Sequence, residues 1–252
     1  MVMTDHEERL ARIGLACAAS LRPLPIPADG ETSPVRLWER IGASQPTVDP
    51  ARVLADAERA GWRILVPGDA EWPPVPPGTA DIGEAPWALW VRGEGDLGAA
   101  TRRSVAVIGA RASTGYGEQV AALLAGDLAN REWTVVTSCA LGCDSHAYTA
   151  AARGTTAPIA VYAAQPDLER FRRHRPEPRL LLSDAPPDTP AGRHRYLTSR
   201  TSCATCPPES SSPKPPSIAS PSRPPTTRGA EAASSWPSPG RSPARRAPPP
   251  TI

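Results

Sequence analysis

The chain has 252 residues, of which 28 are basic and 26 acidic, for a net charge of +2. That length holds one or two domains, and so even a balance gives no whole-protein field for nucleic acid, so a DNA-binding reading must rest on a local site. No stretch approaches the ~18 apolar residues of a membrane span, and the acidic start (Asp5, Glu7, Glu8) is unlike a signal peptide, which predicts a cytoplasmic protein with no membrane partner.

In chain order, residues 5–20 read as a helix with Leu10, Ile13, Leu15 and Ala16 roughly on one face. Val35 to Ile41 is a second short helix. Asp49-Pro50 caps a third, followed by Val53, Leu54, Ala57 and Ala60. Residues 1–65 are thus expected to form a small helical domain. Trp62 to Val66 and Ala88 to Val91 read as strands, with turn-rich sequence between them and Gly93 closing the second. Ser104-Val105-Ala106-Val107-Ile108 is a near-continuous apolar run, as in a strand buried on both faces of a parallel sheet. A loop from Gly109 to Gly117 leads into a helix from Glu118, with Val120, Leu123, Leu124 and Leu128 assigned to one face. Strands follow at Trp133–Val136 and Pro158–Tyr162, with a helix over Ser145–Ala152 between them, and Leu180–Leu182 offers one more strand. Strands alternating with helices predict a doubly wound, Rossmann-like α/β fold over residues 66–200.

In such a sheet, ligands bind beyond the carboxyl ends of the strands, where two of these loops sit. In the first, Gly109 permits a sharp exit from the strand. The helix start offers free N–H groups and a dipole suited to an anionic oxygen. Arg111 adds a forked cationic donor. Ser113 and Thr114 can cap the helix or donate hydroxyls, and Tyr116 presents a ring on which a base could stack. In the second loop, Thr137 to Asp144, Gly142 permits close approach, and Asp144 can cap the next helix or orient a donor. The first loop has neither G-x-G-x-x-G nor G-x-x-x-x-G-K-[ST] spacing. On residue chemistry alone, a generic anion site and ordinary βα turn chemistry stay equally open.

Val107-Ile108-Gly109-Ala110-Arg111-Ala112-Ser113-Thr114-Gly115-Tyr116-Gly117 closely resembles the first signature of the DNA-processing protein A family (DprA, also called Smf). Ala140-Leu141-Gly142-Cys143-Asp144 resembles its second, usually S-G-G-A-x-G-I-D-x-x-A-H. Upstream, Pro67 to Pro73 and Leu89 to Gly93 resemble the family's lead-in, and downstream so does Pro190 to Leu197, a coverage of about residues 5 to 200. The resemblance implies a Rossmann-like domain after a small helical one. It implies single-stranded DNA binding, homodimerisation and delivery of DNA to the RecA recombinase in natural transformation, with no catalysis and no cofactor. By position, Gly109, Ala110, Arg111, Ser113, Thr114, Gly117, Gly142 and Asp144 would bind DNA phosphate, while Tyr116, Arg193 and Arg195 would touch backbone or bases. Three departures stand out. Ser138-Cys139 replaces the family's Gly-Gly, where bulkier side chains are expected to crowd a backbone approach. Tyr148 replaces its histidine, and Gln165 to Arg179 does not resemble its Asp-Arg-x-Tyr-Pro region.

Residues 201–252 hold fourteen of the 33 prolines and no Leu, Val, Met, Phe or Tyr. Such a segment buries too little apolar surface to offset its ordering entropy, so it is expected to be disordered. Read with each codon boundary one base earlier, Ser235 to Arg245 permits Val-Ala-Val-Pro-Gly-Pro-Val-Thr-Ser-Pro, which resembles the family's A-V-P-G-P-V-T-S motif. The same shift over Ala204 to Pro213 permits Arg-Asp-Leu-Pro-Ala-Gly-Val-Val-Val-Ala, like the family's next buried strand. A frameshift after about Arg200 is therefore one reading. A basic linker with Arg223, Arg228, Arg241, Arg245 and Arg246 on phosphates is the other.

Five cysteines, an odd number without framework spacing, predict reduced thiols. Cys203-Ala204-Thr205-Cys206 has no second pair or nearby histidine for zinc, and no metal site is expected. His146 reads as a surface residue on a first helical turn, and no nucleophile–base–orienter set is found. The competing readings are a nucleotide-processing hydrolase on a similar sheet, whose P-G-G-x-G-T-x-x-E loop is absent, and a non-functional remnant of a DNA-processing gene.

Overall fold

In the computed structural model, which describes residues 6–22, 24, 33–45, 47–74, 86–163, 173, 178–190, 192 and 195, three helices lead into a mixed sheet. The tail from 201, Arg193 and most of the charged 165–179 segment lie outside the described residues. Helix α1 (His6–Leu21) is buried on most sides, since Ile13, Leu15, Ala16, Cys17 and Ala18 all face protein. Its partners are α2 (Pro34–Gly42) and α3 (Pro50–Arg59). Asp49 caps α3 as its sequence predicts, accepting the N–H groups of Ala51 and Arg52 at 3.1 and 3.2 Å.

The sheet has six strands in the order β1-β2-β6-β5-β4-β3. Strands β3 (Ser104–Ala106), β4 (Thr134–Ser138), β5 (Ile159–Val161) and β6 (Leu180–Ser183) run parallel, with Val105 opposite Val135 and Ile159 opposite both Val136 and Leu180. Strands β1 (Trp62–Leu65) and β2 (Leu89–Arg92) join antiparallel beyond β6. The expected α/β architecture is present, with the parallel strands extended by this antiparallel pair. Because β1 belongs to the sheet, the helical segment and the sheet share one core. Ile13, Ala16 and Cys17 of α1 and Ala57 of α3 pack with Trp62, Ile64, Trp90, Tyr162 and Leu181. Arg9 reinforces this seam, donating to the Ile64 carbonyl at 3.0 Å and to Asp69 at 2.5 Å.

Helices α5 (Gly115–Asn130) and α6 (Cys143–Ala151) cover the parallel end of the same face. The buried stripe of α5 corrects the sequence assignment. It is Ala121, Ala125 and Ala129 that face Ala147 and Ala151 of α6, whereas Leu123 is 67% exposed. Small residues let two helices approach closely, and Ala at i, i+4, i+8 keeps that contact on one side. Leucine content alone pointed to the wrong face. The opposite sheet face packs Leu65, Leu89, Val91, Val136, Ile159, Val161, Leu180 and Leu182 against Leu97 and Ala100 of α4 (Leu97–Thr101). This short helix was not anticipated, although Asp96 caps it by accepting the Ala99 N–H at 2.7 Å.

Arg195 is buried, at 3% exposure, and its guanidinium pairs with Asp184 beside the end of β6. Its Nε donates to the Ala163 carbonyl at 3.3 Å. A guanidinium spent on a buried carboxylate is not presented to a strand of DNA, so the expected DNA contact at Arg195 gives way to a structural role. Removing one partner of a buried pair leaves the other charge uncompensated. Arg195→Met should therefore lower unfolding free energy by about 3–5 kcal/mol. Denaturant titration measures it, and a loss below about 1 kcal/mol, the scale of exposed pairs, would show that the pair does not hold β6 in place.

Burial, and then the nearby Asp188 carboxylate, push the Cys17 thiol up from 9.0 to about 12, against a smaller lowering by a backbone hydrogen bond. The unfolded chain ionises this thiol near pH 9 while the folded one still holds its proton. The stability this gives is complete below pH 9 and is lost as pH rises from 9 toward 12. Cys17→Ala should therefore flatten the alkaline fall in stability, by up to ~1.4 kcal/mol for each pH unit. Parallel alkaline slopes for the two proteins would contradict the assignment.

Candidate nucleic-acid interface

Two βα junctions lie side by side at the carboxyl ends of β3 and β4. The first leaves β3 through Val107, whose N–H still donates to Val136 at 2.9 Å. It reaches Thr114, which caps α5 by accepting the Gly117 N–H at 3.2 Å. The helix starts at Gly115, earlier than Glu118 as expected from sequence. Capping thus accounts for Gly117, and the N–H groups of Gly115 and Tyr116 belong to the first turn, which has no acceptor within the helix. Tyr116 is 80% exposed, and Ala110 and Arg111 are exposed on the loop before it.

The second junction leaves β4 at Ser138 and enters α6 through Gly142. Gly142 has φ +82° and ψ −139°, and a Cβ there would stand 2.2 Å from the Ala110 carbonyl oxygen and 2.6 Å from that of Arg111. Only glycine satisfies both the backbone angle and the space. Its close approach lets the Cys143 N–H donate to the Ala110 carbonyl at 3.1 Å. Gly109 serves the same contact from the other side, since a Cβ on it would lie 2.5 Å from the Cys143 Cβ.

Asp144 locks the two loops. It is 2% exposed, and its carboxylate accepts the Gly109 N–H at 2.7 Å and the Ser138 hydroxyl. Thr137 ties the strands a step earlier by donating to the Val107 carbonyl at 2.8 Å. These bonds revise several assignments. The Asp144 carboxylate is buried in the loop junction, where it orients Gly109 rather than meeting phosphate. The Gly109 N–H is consumed by Asp144. Ser138 does not crowd the junction, because its hydroxyl supplies the second bond to Asp144. Cys139 and Tyr148, the other departures, are buried in the core under α1 and α3.

Ser113 donates to Glu118 at 2.6 Å, and the other Glu118 oxygen faces His146 Nε2 at 3.5 Å. Glu118 was not singled out from sequence, although an acidic residue in a first helical turn is itself a signal. The imidazole meets the carboxylate and not the hydroxyl, so this cluster braces α5 to α6 and does not arm a nucleophile. Of the expected contacts, the structure gathers Ala110, Arg111, Ser113, Thr114, Tyr116 and Gly117 around one helix start, with Gly109, Gly142 and Asp144 behind them as the scaffold. Among the described residues no group of three or more His, Cys, Asp or Glu could hold a metal ion, and no helix is long and apolar enough to cross a membrane.

Residues 63–200 match the model of the family described as DNA recombination-mediator protein A. Proteins assigned as DNA processing protein DprA in Mycobacterium tuberculosis strains CDC 1551 / Oshkosh and H37Rv are each 35% identical to the chain. The match takes in 64% of this chain and 45% of each relative, so the chain spans less than half the length of these curated relatives. The X-ray structure of DprA from Streptococcus pneumoniae is similar at 21% identity and a TM-score of 0.53, over 79% of this chain and 70% of that one. DNA processing protein A from Helicobacter pylori, solved for its single-stranded DNA binding mode, is 24% identical with a TM-score of 0.42, over 55% of this chain and 62% of that one. With the family model matching more than half of its length, this chain belongs to the DNA recombination-mediator protein A, or DprA, family.

Proposed function

We propose that the protein binds single-stranded DNA at the start of α5, with one backbone phosphate against the Gly115 and Tyr116 N–H groups and Arg111, and a base on the Tyr116 ring. The observation that carries this reading is the locked pair of βα junctions, beside which the helix start, Arg111 and the Tyr116 ring are all exposed. Helix starts and arginine suit phosphate. A ring 80% exposed has no packing role and offers a face on which any base can stack. Such contacts read the backbone and a π-face, so little sequence preference is expected. Membership of the family supports a wider reading, proposed with the site: a non-catalytic, cytoplasmic homodimer that passes the strand to the RecA recombinase, with no cofactor.

Fluorescence anisotropy of a labelled oligothymidylate against salt tests the site. Arg111→Ala should weaken binding and flatten the log–log salt dependence by roughly the 0.7 expected of one lost single-strand phosphate contact. Tyr116→Ala should cost about 1–3 kcal/mol with an unchanged salt slope. Arg131→Ala makes the same charge change at the far end of α5, where Arg131 pairs with Asp127, and should leave binding near wild type. Equal losses for Arg111→Ala and Arg131→Ala would mean that only net charge matters and would remove the assigned site.

Asp144→Ala leaves the Gly109 N–H and Ser138 hydroxyl buried without their acceptor. It should destabilise the fold by about 1–3 kcal/mol and weaken DNA binding at a temperature where the variant is still folded. Lost stability with undiminished affinity would separate the clamp from the site.

A further inference from the structure

Strand β3 has the sequence of an interior strand and the position of an edge. Its run from Ser104 to Ile108 is nearly all apolar, the pattern of strands covered on both faces and both sides. On one side it pairs with β4: Val107 N–H donates to Val136, and the Arg103 carbonyl accepts from Thr134, both at 2.9 Å. Alternation turns the backbone groups of Ser104, Ala106 and Ile108 the other way, where the described sheet has no strand. Val105, Ala106, Val107 and Ile108 are each only half-buried, while Val135, Val136, Ile159 and Ala160 of the neighbouring strands are buried. On α5, Leu123 is exposed, and Val120 and Leu124 are half-covered. From β3 the chain steps to β4, β5 and β6 in one direction only. A doubly wound sheet is two such halves built outward from the first strand in opposite directions, and the described residues form one half.

We propose that the coding sequence has lost a single base near codon 200, and that the strand which pairs with β3 is encoded one base out of register within the codons that here spell residues 201–252. In frame, that segment offers no Leu, Val, Met, Phe or Tyr for a buried strand. One base earlier, serine codons of the TCN type turn the same stretch into apolar runs. A glutamate codon ends in A or G, so Glu209 followed by a serine TCN reads as Ile or Val. Each TCN–TCN junction across Ser210, Ser211 and Ser212 reads as Phe, Leu, Ile or Val, whatever the third base. From Ala233 to Ser238 the same reading gives two such residues, then Leu, Met or Val from the Trp236 codon, then Ala, then a further apolar residue. Two strand-like runs thus arise where the in-frame segment has none. Residues 213–233 lie between them, enough for the crossover of a dozen or more residues that joins parallel strands.

The nucleotide sequence and hydrogen exchange together decide this. Codons for Ser210, Ser211, Ser212, Ser234, Ser235 and Ser238 should all be TCN, with no stop in the shifted frame from codon 200 to codon 245. AGT or AGC at those serines, or a shifted-frame stop, overturns the proposal. Inserting one base after codon 200 and expressing the result beside the present chain gives the structural arm. The amides of Ser104, Ala106 and Ile108 should exchange at least tenfold more slowly in the restored chain. Equal exchange, an insoluble restored chain, or protection in the present chain that grows with protein concentration (a second copy on the edge) overturns it as well. Neither arm contains DNA, so the outcome is independent of the proposed binding site.

Discussion

The Asp144 carboxylate is the group on which the candidate site depends. A buried carboxylate is tolerated only when hydrogen bonds replace its water, and here the donors are the Gly109 N–H and the Ser138 hydroxyl. One donor lies just after β3 and the other ends β4, so satisfying a single side chain fixes two neighbouring junctions relative to each other. The glycines at 109 and 142 are the spatial counterpart of that bond. Each stands where any Cβ would strike the other loop. The Gly109 amide is used by this bond, and the exposed groups next along the loop are Arg111 and the first turn of α5.

The alanine contact between α5 and α6 carries the same constraint along the helices. Ala121, Ala125 and Ala129 against Ala147 and Ala151 hold the helix pair together, and the Glu118–His146 contact braces it near its start. Two helices held this way bring two positive dipole ends to one rim of the sheet. Leu123 of α5 is left exposed outside that contact. That is consistent with a sheet that continues beyond β3, since Leu123 and its neighbours then have something to cover.

Much of this was legible in the sequence, and the failures have physical causes. Short apolar runs placed every described strand, and Asp49-Pro50 placed the start of α3, because these signals are local. The buried face of α5 was misread because leucine counts as the stronger apolar signal, while close helix packing selects alanine. Asp144 was read both as a phosphate contact and as a residue that orients a donor. The second role is the one seen, and distance along the chain hides that Gly109 and Ser138 are the donors that converge on it. Arg195 was expected on DNA with Arg193, but the fold brings Asp184 beside it at the end of β6. Ser138 looked like an obstruction for the same reason, as its hydrogen bond exists only once α6 turns back over β4.

The central claim is that single-stranded DNA sits at the start of α5. Hydrogen exchange of the protein with and without a saturating oligothymidylate tests it most directly, because it reports position along the chain and not affinity alone. The account predicts slowing confined to the loop from Ala110 through the first turn of α5, with a smaller effect at residues 140–143 of the adjoining loop. Protection that spares Arg111 to Gly117 and appears elsewhere, for example on the helices before β1, would contradict it.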